Sequence, residues 1–421
     1  MPIQKINLIH PVKNAFALQA AKAFQQQGIL NKLFTTYFYS QTFFLKVLHK
    51  IAPSVYHTIN DELKRRDWQI DPKLIVSKPW IEYKRILLLK TGLHKKLGRT
   101  SDELNTNMYD TFDKIASRAD WGKINAVYAY EDCAQRTFER AKEIGGITCF
   151  YDLPIVHYKT AKEILSKEVE LFPAFKNCLA TVNEPAWKII KKLKELELAD
   201  LIFVPSNFVK QSIIDIGIPA EKIRVNVFGA PIEYFKPTEK TDTVFRAIFV
   251  GGIGPRKGVH YIIQAWKELN LPNAELLLVG VDLFPEGWLK EHIKGANIRF
   301  VSSVPHHQLN SYYASADVFV FPSLAEGLAL VQLEAMACGL PIISTPNAGA
   351  EDIVEDGKNG FLIPIRDTEA LKEKIMYLYT HPDEKWAMGK AARATAEKFT
   401  WKRYQDYLLD AINSFSVARV K

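Results

Sequence analysis

Short apolar runs alternate with amphipathic stretches along two long parts of the chain, and this alternation restricts the fold more than any other feature. The apolar runs are KINLIH (5–10), INAVYAY (124–130), ITCFYDL (147–153), ADLIFVP (199–205) and KIRVNVFGAP (222–231), then VFRAIFVGG (244–252), ELLLVG (275–280), IRFVSSV (298–304), ADVFVFPS (316–323) and LPIISTP (340–346). Short buried strands that alternate with helices form parallel sheets with helices on both faces. The sequence therefore predicts two doubly wound, Rossmann-like α/β domains.

A polar stretch without periodicity, EYFKPTEKTDT (233–243), separates the two parts. We expect one domain over residues 1–236 and a second over 237–399. The chain contains no apolar run of about 18 residues, so no membrane-spanning helix is predicted. Its first residues, MPIQKINLIHP, do not have the pattern of a signal peptide. The four cysteines form no C-x-x-C pair, which favours a reducing, cytoplasmic compartment.

Positive charge is concentrated at the start of the chain. Residues 1–100 hold 17 Lys and Arg against 5 Asp and Glu, a balance of +12, whereas the whole chain carries +8. The cations are interleaved with aromatic and aliphatic residues in two stretches, 30–50 and 80–99. Such stretches suit either a solvated basic face or a helix lying on an anionic membrane surface. Nucleic acid is a weaker alternative, because no nucleic-acid-binding module is present.

Three segments at the ends of predicted strands in the second part carry chemistry, since ligands of open parallel sheets bind beyond the carboxyl ends of strands. FVGGIGPRKG (249–258) is a glycine-rich turn with two adjacent cations that can meet phosphate oxygens, or a tight turn with solvated cations. It lacks the P-loop spacing. TPNAGAEDIVEDGKNGFLI (345–363) is a loop, short helix and turn that either closes the same pocket or only connects elements.

The third segment, FPSLAEGLALVQLEAMACG (321–339), ends a strand and begins a helix near Leu328. Backbone N–H groups at the positive end of a helix form a ready site for a diphosphate. Glu326 and Glu334 lie eight positions apart there, and carboxylates beside phosphates have a sensible role in accepting hydrogen bonds from sugar hydroxyls. The alternative is a helix cap at Glu326 and a solvated face at Glu334.

Together these motifs resemble the retaining glycosyltransferases of family 4, which have the GT-B fold of two Rossmann-like domains facing each other across a cleft. The resemblance covers residues 199–367 and includes the E-x7-E pair, Glu326 and Glu334. FTWKRY (399–404) is similar to the start of the family's C-terminal helix, so residues 400–421 are expected to pack back on the first domain.

The resemblance implies roles for individual residues. Lys257 would contact the donor diphosphate, Glu334 the ribose and Glu326 the donor sugar, with Arg256 as a conjectured substitute for an arginine that the family often has at the position of Gly252. We count Glu326, Lys257 and Arg256 as catalytic candidates. The other donor-binding candidates are Gly251, Gly252, Ser303, Val304, Gly327, Leu328, Ala329, Leu330 and Glu334.

The first domain departs from the family pattern, which leaves the acceptor side open. The loop after the first strand, HPVKNAFA (10–17), has no glycine, and Tyr151 stands where a histidine is common. Acceptor-side candidates are Asn14, Glu131, Tyr151 and Asp152, with Asp132 and His157 nearby; His157 and Asp152 could equally be satisfied core residues. His306 and His307 lie in a polar loop and are expected to be solvated.

The expected activity is transfer of a sugar from a nucleoside diphosphate sugar to an acceptor, with retention of anomeric configuration. No D-x-D triplet occurs, so neither a metal nor another cofactor is expected. The acceptor is left open between lipid-linked, anionic and polysaccharide molecules. The alternatives are a non-catalytic nucleotide-sugar-binding partner or sensor, and another enzyme on this fold such as an epimerase or a phosphorylase.

Overall fold

A computed structural model describes residues 2–39, 49–51, 53, 56, 60, 63, 64 and 66–418. Among them, all strands of two separate sheets run parallel, as the alternating pattern predicts. No helix in this described part is long and apolar enough to span a membrane.

The first sheet has the strand order β3-β2-β1-β4-β5-β6-β7. Its strands are β1 (Ile6–Ile9), β2 (Leu30–Thr35), β3 (Ile75–Ser77), β4 (Ala126–Tyr130), β5 (Thr148–Asp152), β6 (Leu201–Val204) and β7 (Ile223–Val225). The helices of this part are α1 (Ala15–Gln26), α2 (Pro79–Lys90), α3 (Leu93–Lys96), α4 (Ser101–Arg118), α5 (Gln135–Ile144), α6 (Tyr158–Leu171), α7 (Ala186–Leu198) and α8 (Asn207–Ile214).

The second sheet has the order β10-β9-β8-β11-β12-β13. Its strands are β8 (Phe245–Val250), β9 (Ala274–Val279), β10 (Ile298–Val301), β11 (Val318–Phe321), β12 (Ile342–Ser344) and β13 (Gly360–Leu362). The helices are α9 (Val259–Leu269), α10 (Trp288–Ile293), α11 (Leu309–Ala314), α12 (Leu330–Ala337), α13 (Thr368–Thr380), α14 (Pro382–Lys398) and α15 (Trp401–Ala418).

Strand β4 shows why the apolar runs are continuous rather than alternating. All five of its residues are buried, but on opposite faces of the sheet. Ala126, Tyr128 and Tyr130 belong to one hydrophobic cluster, whereas Val127 and Ala129 belong to another. A parallel strand covered by helices on both faces must be apolar at every position.

Three strands were not predicted from the sequence. The stretch 30–50 was interpreted as basic and helix-like, but its first residues form β2, whose Phe34 and Thr35 are buried; residues 40–48 lie outside the described part. Strand β3 has only three residues, and β13 lies in a stretch interpreted as a turn. By contrast, most of the second basic stretch, 80–99, is helical: it contains α3 and all of α2 except its first residue.

Helix α15 returns to the first sheet's part of the protein. Gln405 Nε2 donates to Gln19 Oε1 of α1 at 2.6 Å, and Asn226 Nδ2 donates to the carbonyl of Tyr404 at 3.2 Å. The last helix of the chain therefore contacts the first one, and the backbone crosses between the two halves twice.

Further contacts bring the two halves together across the cleft. Ser206 Oγ donates to the carbonyl of Gly327 at 2.7 Å. A buried carboxylate on α6, Glu168, accepts hydrogen bonds from Tyr261 at 3.0 Å and from Arg366 Nε at 2.8 Å, and its Oε1 lies 2.6 Å from Nε2 of His260. Because these three partners belong to the second half, Glu168 joins the two halves of the protein.

Candidate functional site

Close backbone contacts form the floor of the site at the carboxyl ends of β8, β9 and β11. A Cβ atom on Gly280 would lie 1.7 Å from the carbonyl oxygen of Gly251. Gly258 has φ +67°, and a Cβ there would lie 2.2 Å from the carbonyl oxygen of Pro322. Any larger residue at these two positions would push the strand ends apart. Gly258, after β8, and Gly280, after β9, therefore allow the ends of β8, β9 and β11 to come close together.

Two cations and a carboxylate converge on that place. Arg256 and Lys257, from a 3₁₀ turn over Pro255–Lys257, both contact Oε1 of Glu326. Arg256 also donates to the carbonyl of Ala325 at 2.8 Å, and Lys257 Nζ lies 4.9 Å from the ring centroid of Phe321. The turn after β8 and the loop after β11 are thus joined by charge as well as by backbone contacts.

Burial controls the ionisation of this cluster. Loss of solvent lowers the pKa of Lys257 to about 8, although Glu326 partly restores it. Burial also opposes ionisation of Glu326, but Lys257 and Arg256 outweigh it and keep the pKa of this carboxyl below its ordinary value. The side chains of Lys257 and Glu326 are 15% and 12% exposed. A poorly solvated cation of this kind gains more from a phosphate oxygen than a solvated one does.

Helix α12 begins beside the cluster, at Leu330 rather than near Leu328 as predicted. Gly327, Leu328 and Ala329 form the loop in front of it, and all three are buried. The first N–H groups of a helix have no partner within the helix, and they carry partial positive charge. The start of α12, Lys257 and Arg256 therefore present positive groups on the same side of the second sheet.

Glu334 lies on α12 and is almost fully buried. Tyr313 OH donates to its Oε2 at 3.1 Å, and Nε2 of His306 lies 2.8 Å from its Oε1. The expectation of a solvated His306 was therefore incomplete: its side chain is 65% exposed, but its ring is bonded to the buried carboxylate. His307 is exposed, as expected.

The turn after β10 completes this side of the cleft. Ser303 is exposed and Val304 is half-buried. Gly252 lies beneath Leu283, whose Cδ1 would be 2.7 Å from a Cβ at the glycine. The donor-side candidates thus come from the turns after β8, β10 and β11 and from α12, which all meet at one edge of the sheet.

The loop after β1, which lacks glycine, is held by side chains instead. Asn14 Oδ1 accepts from the N–H of Ala17 at 2.8 Å and caps α1, and its Nδ2 lies 3.1 Å from Nε2 of His10. The His10 Nδ1 accepts from the N–H of Val12 at 3.2 Å. Burial lowers the pKa of His10 to about 3, so its ring is neutral at pH 7.

Two acceptor-side candidates, Tyr151 and Asp152, lie in the interior of the first half. Tyr151 OH donates to Glu195 at 3.0 Å, and Tyr128 OH donates to Asp152 at 2.6 Å; Tyr151 and Asp152 are both buried. Burial raises the pKa of Asp152 to about 7. These contacts agree with the interpretation of Asp152 as a satisfied core residue.

Glu131 has a different environment, nearer the carboxyl edge of the first sheet. Its Oε1 lies 3.2 Å from Nζ of Lys192, and burial raises the pKa of this carboxyl while Lys192 partly lowers it. Asp132 follows in a left-handed conformation, φ +69°, with Lys188 3.3 Å away. Asp132 and Lys188 line a cavity of about 1480 Å³ that also contacts Val12 in the loop after β1.

Sequence reasoning missed Tyr313 and the contact of His306. Both residues reach Glu334 from elements that are more than twenty positions away in the chain, so no spacing rule connects them. Among the described residues, no group of three or more His, Cys, Asp or Glu side chains lies close enough together to hold a metal ion.

Two facing Rossmann-like domains with this cleft define a GT-B protein. The fold is similar to sucrose-phosphate synthase from Thermosynechococcus elongatus, with a TM-score of 0.64 at 18% identity over 99% of this chain and 100% of that one. It is also similar to Anabaena HepE in complex with UDP-glucose, with a TM-score of 0.60 at 18% identity over 97% and 99% of the two chains.

The family model "Glycosyl transferases group 1" matches residues 232–395 of this chain. Sulfoquinovosyl transferase SQD2 of Arabidopsis thaliana is 32% identical over 52% of this chain and 45% of its own length. D-inositol 3-phosphate glycosyltransferase of Corynebacterium urealyticum is 29% identical over 55% and 61%. The chain thus matches about half the length of these relatives.

Proposed function

We propose that this protein transfers a sugar from a nucleoside diphosphate sugar to an acceptor, with retention of anomeric configuration and without a metal ion. The observation that carries the proposal is the convergence of Arg256 and Lys257 on Glu326 beside the start of α12. This arrangement offers positive groups to a diphosphate and a carboxylate to the attached sugar. The UDP-glucose bound to HepE supports this ligand class.

The positive groups stabilise the leaving diphosphate. Its negative charge grows as the bond from the anomeric carbon to the phosphate oxygen breaks, so Lys257, Arg256 and the N–H groups of α12 bind the transition state better than the ground state. In the free protein both cations pair with Glu326, whose single negative charge offsets only one of the two positive charges. A bound diphosphate takes over that role and leaves Glu326 able to accept a hydrogen bond from a sugar hydroxyl.

Retention follows if the acceptor attacks from the face that the diphosphate leaves. The acceptor oxygen then forms the new bond to the anomeric carbon, and its proton passes to the departing phosphate oxygen. No protein nucleophile takes part in this route. Proton NMR of the first product formed checks the configuration. An anomeric coupling constant that shows the configuration opposite to that of the donor would exclude the route.

Donor cleavage tests the proposal directly. The protein is incubated with UDP-, GDP- and ADP-glucose, and release of the nucleoside diphosphate is measured with and without EDTA. We expect release from at least one donor, insensitive to EDTA and lost in Glu326→Gln, while Glu286→Gln, at an exposed carboxylate, behaves as the wild type. Binding without release would instead support a sensor, and release of free epimerised sugar an epimerase.

The two halves have separate roles in this proposal. Residues 237–399 bind the donor, and residues 1–236, against which α15 packs, bind the acceptor. The cavity of about 1480 Å³ beside Asp132 and Lys188 is the proposed acceptor site, because it reaches the loop after β1 at the cleft side of the first sheet. Its mixture of charged and amide side chains suits a polar acceptor group.

We also propose a peripheral contact between α2–α3 and an anionic membrane. Trp80, Leu87 and Leu97 are 54%, 53% and 57% exposed, among exposed lysines. Glu82, the one acidic residue from 80 to 99, is buried between Arg66 and Arg85 and so does not offset that charge. Exposed apolar groups ringed by cations fit an anionic lipid surface.

Vesicle flotation tests this contact. We expect binding to phosphatidylglycerol vesicles that weakens in salt, no binding to phosphatidylcholine vesicles, and loss of binding in Trp80→Ser with Leu87→Ser. Trp386→Ser, at a tryptophan 64% exposed on the other half, is the matched control. Equal binding to both vesicle types, or none, would remove the membrane proposal.

A further inference from the structure

Both oxygens of the Glu334 carboxylate already have partners in the free protein. Tyr313 holds Oε2 at 3.1 Å and is itself buried, so it supports the carboxylate from the protein interior. His306 holds Oε1 at 2.8 Å, with a side chain 65% exposed against 7% for Glu334. Of the two partners, the histidine is therefore the one that can leave without disturbing the core.

The position of His306 is well defined although the side chain is exposed. It is the first residue of a 3₁₀ turn over His306–Gln308, just after the turn that follows β10. Its ring meets the ring of buried Phe235 edge to face, with centroids 5.2 Å apart. The histidine thus lies over the carboxylate, between Glu334 and the solvent.

We propose that His306 covers Glu334 in the free protein and is displaced when the nucleotide ribose binds, so that a proton on His306 opposes donor binding. This inference rests on the proposed function, in which Glu334 accepts from the ribose hydroxyls. His306 thereby regulates the donor site, and donor binding becomes weaker at low pH.

The sign follows from the contacts. Besides Glu334, the groups around this pair are the Tyr313 phenol, the Cys338 thiol and, near Cys338, the Arg393 guanidinium. The hydrogen bond to Glu334 raises the pKa of His306 above the ordinary value. A ribose that takes the carboxylate removes this bond, the pKa falls back and a proton is released. Binding must therefore weaken as pH falls through the pKa of His306 in the free protein.

The size of the effect is set by the difference between the two pKa values, because one unit of difference changes affinity tenfold at low pH. The exposed side of the histidine screens the interaction. We therefore expect a severalfold loss of affinity between about pH 7.5 and pH 5.5.

Isothermal titration with the preferred donor from UDP-, GDP- and ADP-glucose measures this loss. These sugar nucleotides are suitable probes because their diphosphate has no group that titrates between pH 5.5 and pH 7.5. The wild type is compared with His306→Gln, which keeps a neutral hydrogen-bond donor but cannot be charged. His307→Gln, at the exposed neighbouring histidine, is the matched control.

We expect weaker binding at low pH in the wild type and in His307→Gln, and nearly constant affinity in His306→Gln. Proton release on binding, measured in two buffers of different ionisation enthalpy, should disappear in the same variant. If His306→Gln keeps the wild-type pH dependence, or binds more weakly at every pH, the inference is wrong and His306 only supports Glu334. Absence of binding by the wild type at any pH would overturn the donor site itself and this inference with it.

Discussion

Replacing Lys257 with methionine removes the buried cation while keeping most of its length, and it tests the positive cluster most sharply. The Lys257 side chain is 15% exposed and lies against Phe321, so methionine can occupy the same apolar surroundings. Its charge, by contrast, is lost entirely. We expect donor turnover to fall by a factor of about 10²–10³, with little change in the folded structure.

The magnitude follows from the environment of the cation. Two unit charges about 4 Å apart interact with about 4 kcal/mol at an effective dielectric constant of about 20. Loss of one preorganised donor to a developing anion typically costs about 2.7–4 kcal/mol, or about 10²–10³ in rate. The two values agree, although in the free protein part of the Lys257 charge is already satisfied by Glu326.

The assay is release of nucleoside diphosphate from the preferred donor, followed as kcat/KM. Lys267→Met, at an exposed lysine of α9, is the matched control and should retain wild-type activity. Circular dichroism and a melting curve check that both variants fold. A Lys257→Met enzyme within about threefold of wild type, with Lys267→Met unchanged, would refute the role assigned to this cation.

The buried lysine, the contact at Gly327 and the ion pair of Glu168 can each be tested separately. Burial lowers the pKa of Lys257 to about 8, and a bound diphosphate should raise this pKa again. Donor affinity measured by titration should therefore decline as pH rises above about 8. Constant affinity up to about pH 9.5 would contradict this pH dependence. A Cβ on Gly327 would lie 1.9 Å from the carbonyl oxygen of Pro154 in the other half. Gly327→Ala should therefore push the two halves apart and increase the radius of gyration measured by small-angle scattering. An unchanged radius of gyration would count against this close contact. Glu168→Ala removes a buried carboxylate and leaves the Arg366 guanidinium, whose side chain is 16% exposed, without that partner. The free energy of unfolding in urea should fall by about 3–5 kcal/mol, and a loss below about 1 kcal/mol would disprove this expectation.

The sequence predicted the two parallel sheets because their strands are buried on both faces and therefore read as continuous apolar runs. It predicted the turn after β8 and the start of α12 because glycines, cations and the E-x7-E pair occur at fixed places in the chain. Strand β2 was missed because Asn31 and Lys32 interrupt its apolar run, and β3 because three residues carry no periodicity.

Contacts between distant segments could not be predicted. Glu168 meets its partners across separations of 92 to 198 positions. His260 and Tyr261 lie on α9 and Arg366 lies after β13, so only the tertiary packing of these segments around α6 brings them together. For the same reason His306 was expected to be solvated: its loop is polar, and the buried carboxylate beside it belongs to another element. Local sequence shows which groups can react, whereas tertiary packing decides which of them meet.

A crystal structure with the preferred sugar nucleotide would show directly whether the donor binds at this site. We expect the diphosphate within hydrogen-bond distance of Lys257 and of the first N–H groups of α12, the ribose on Glu334 and the sugar on Glu326. A sugar nucleotide bound elsewhere on the protein, with Lys257 still paired to Glu326 and no phosphate nearby, would contradict it.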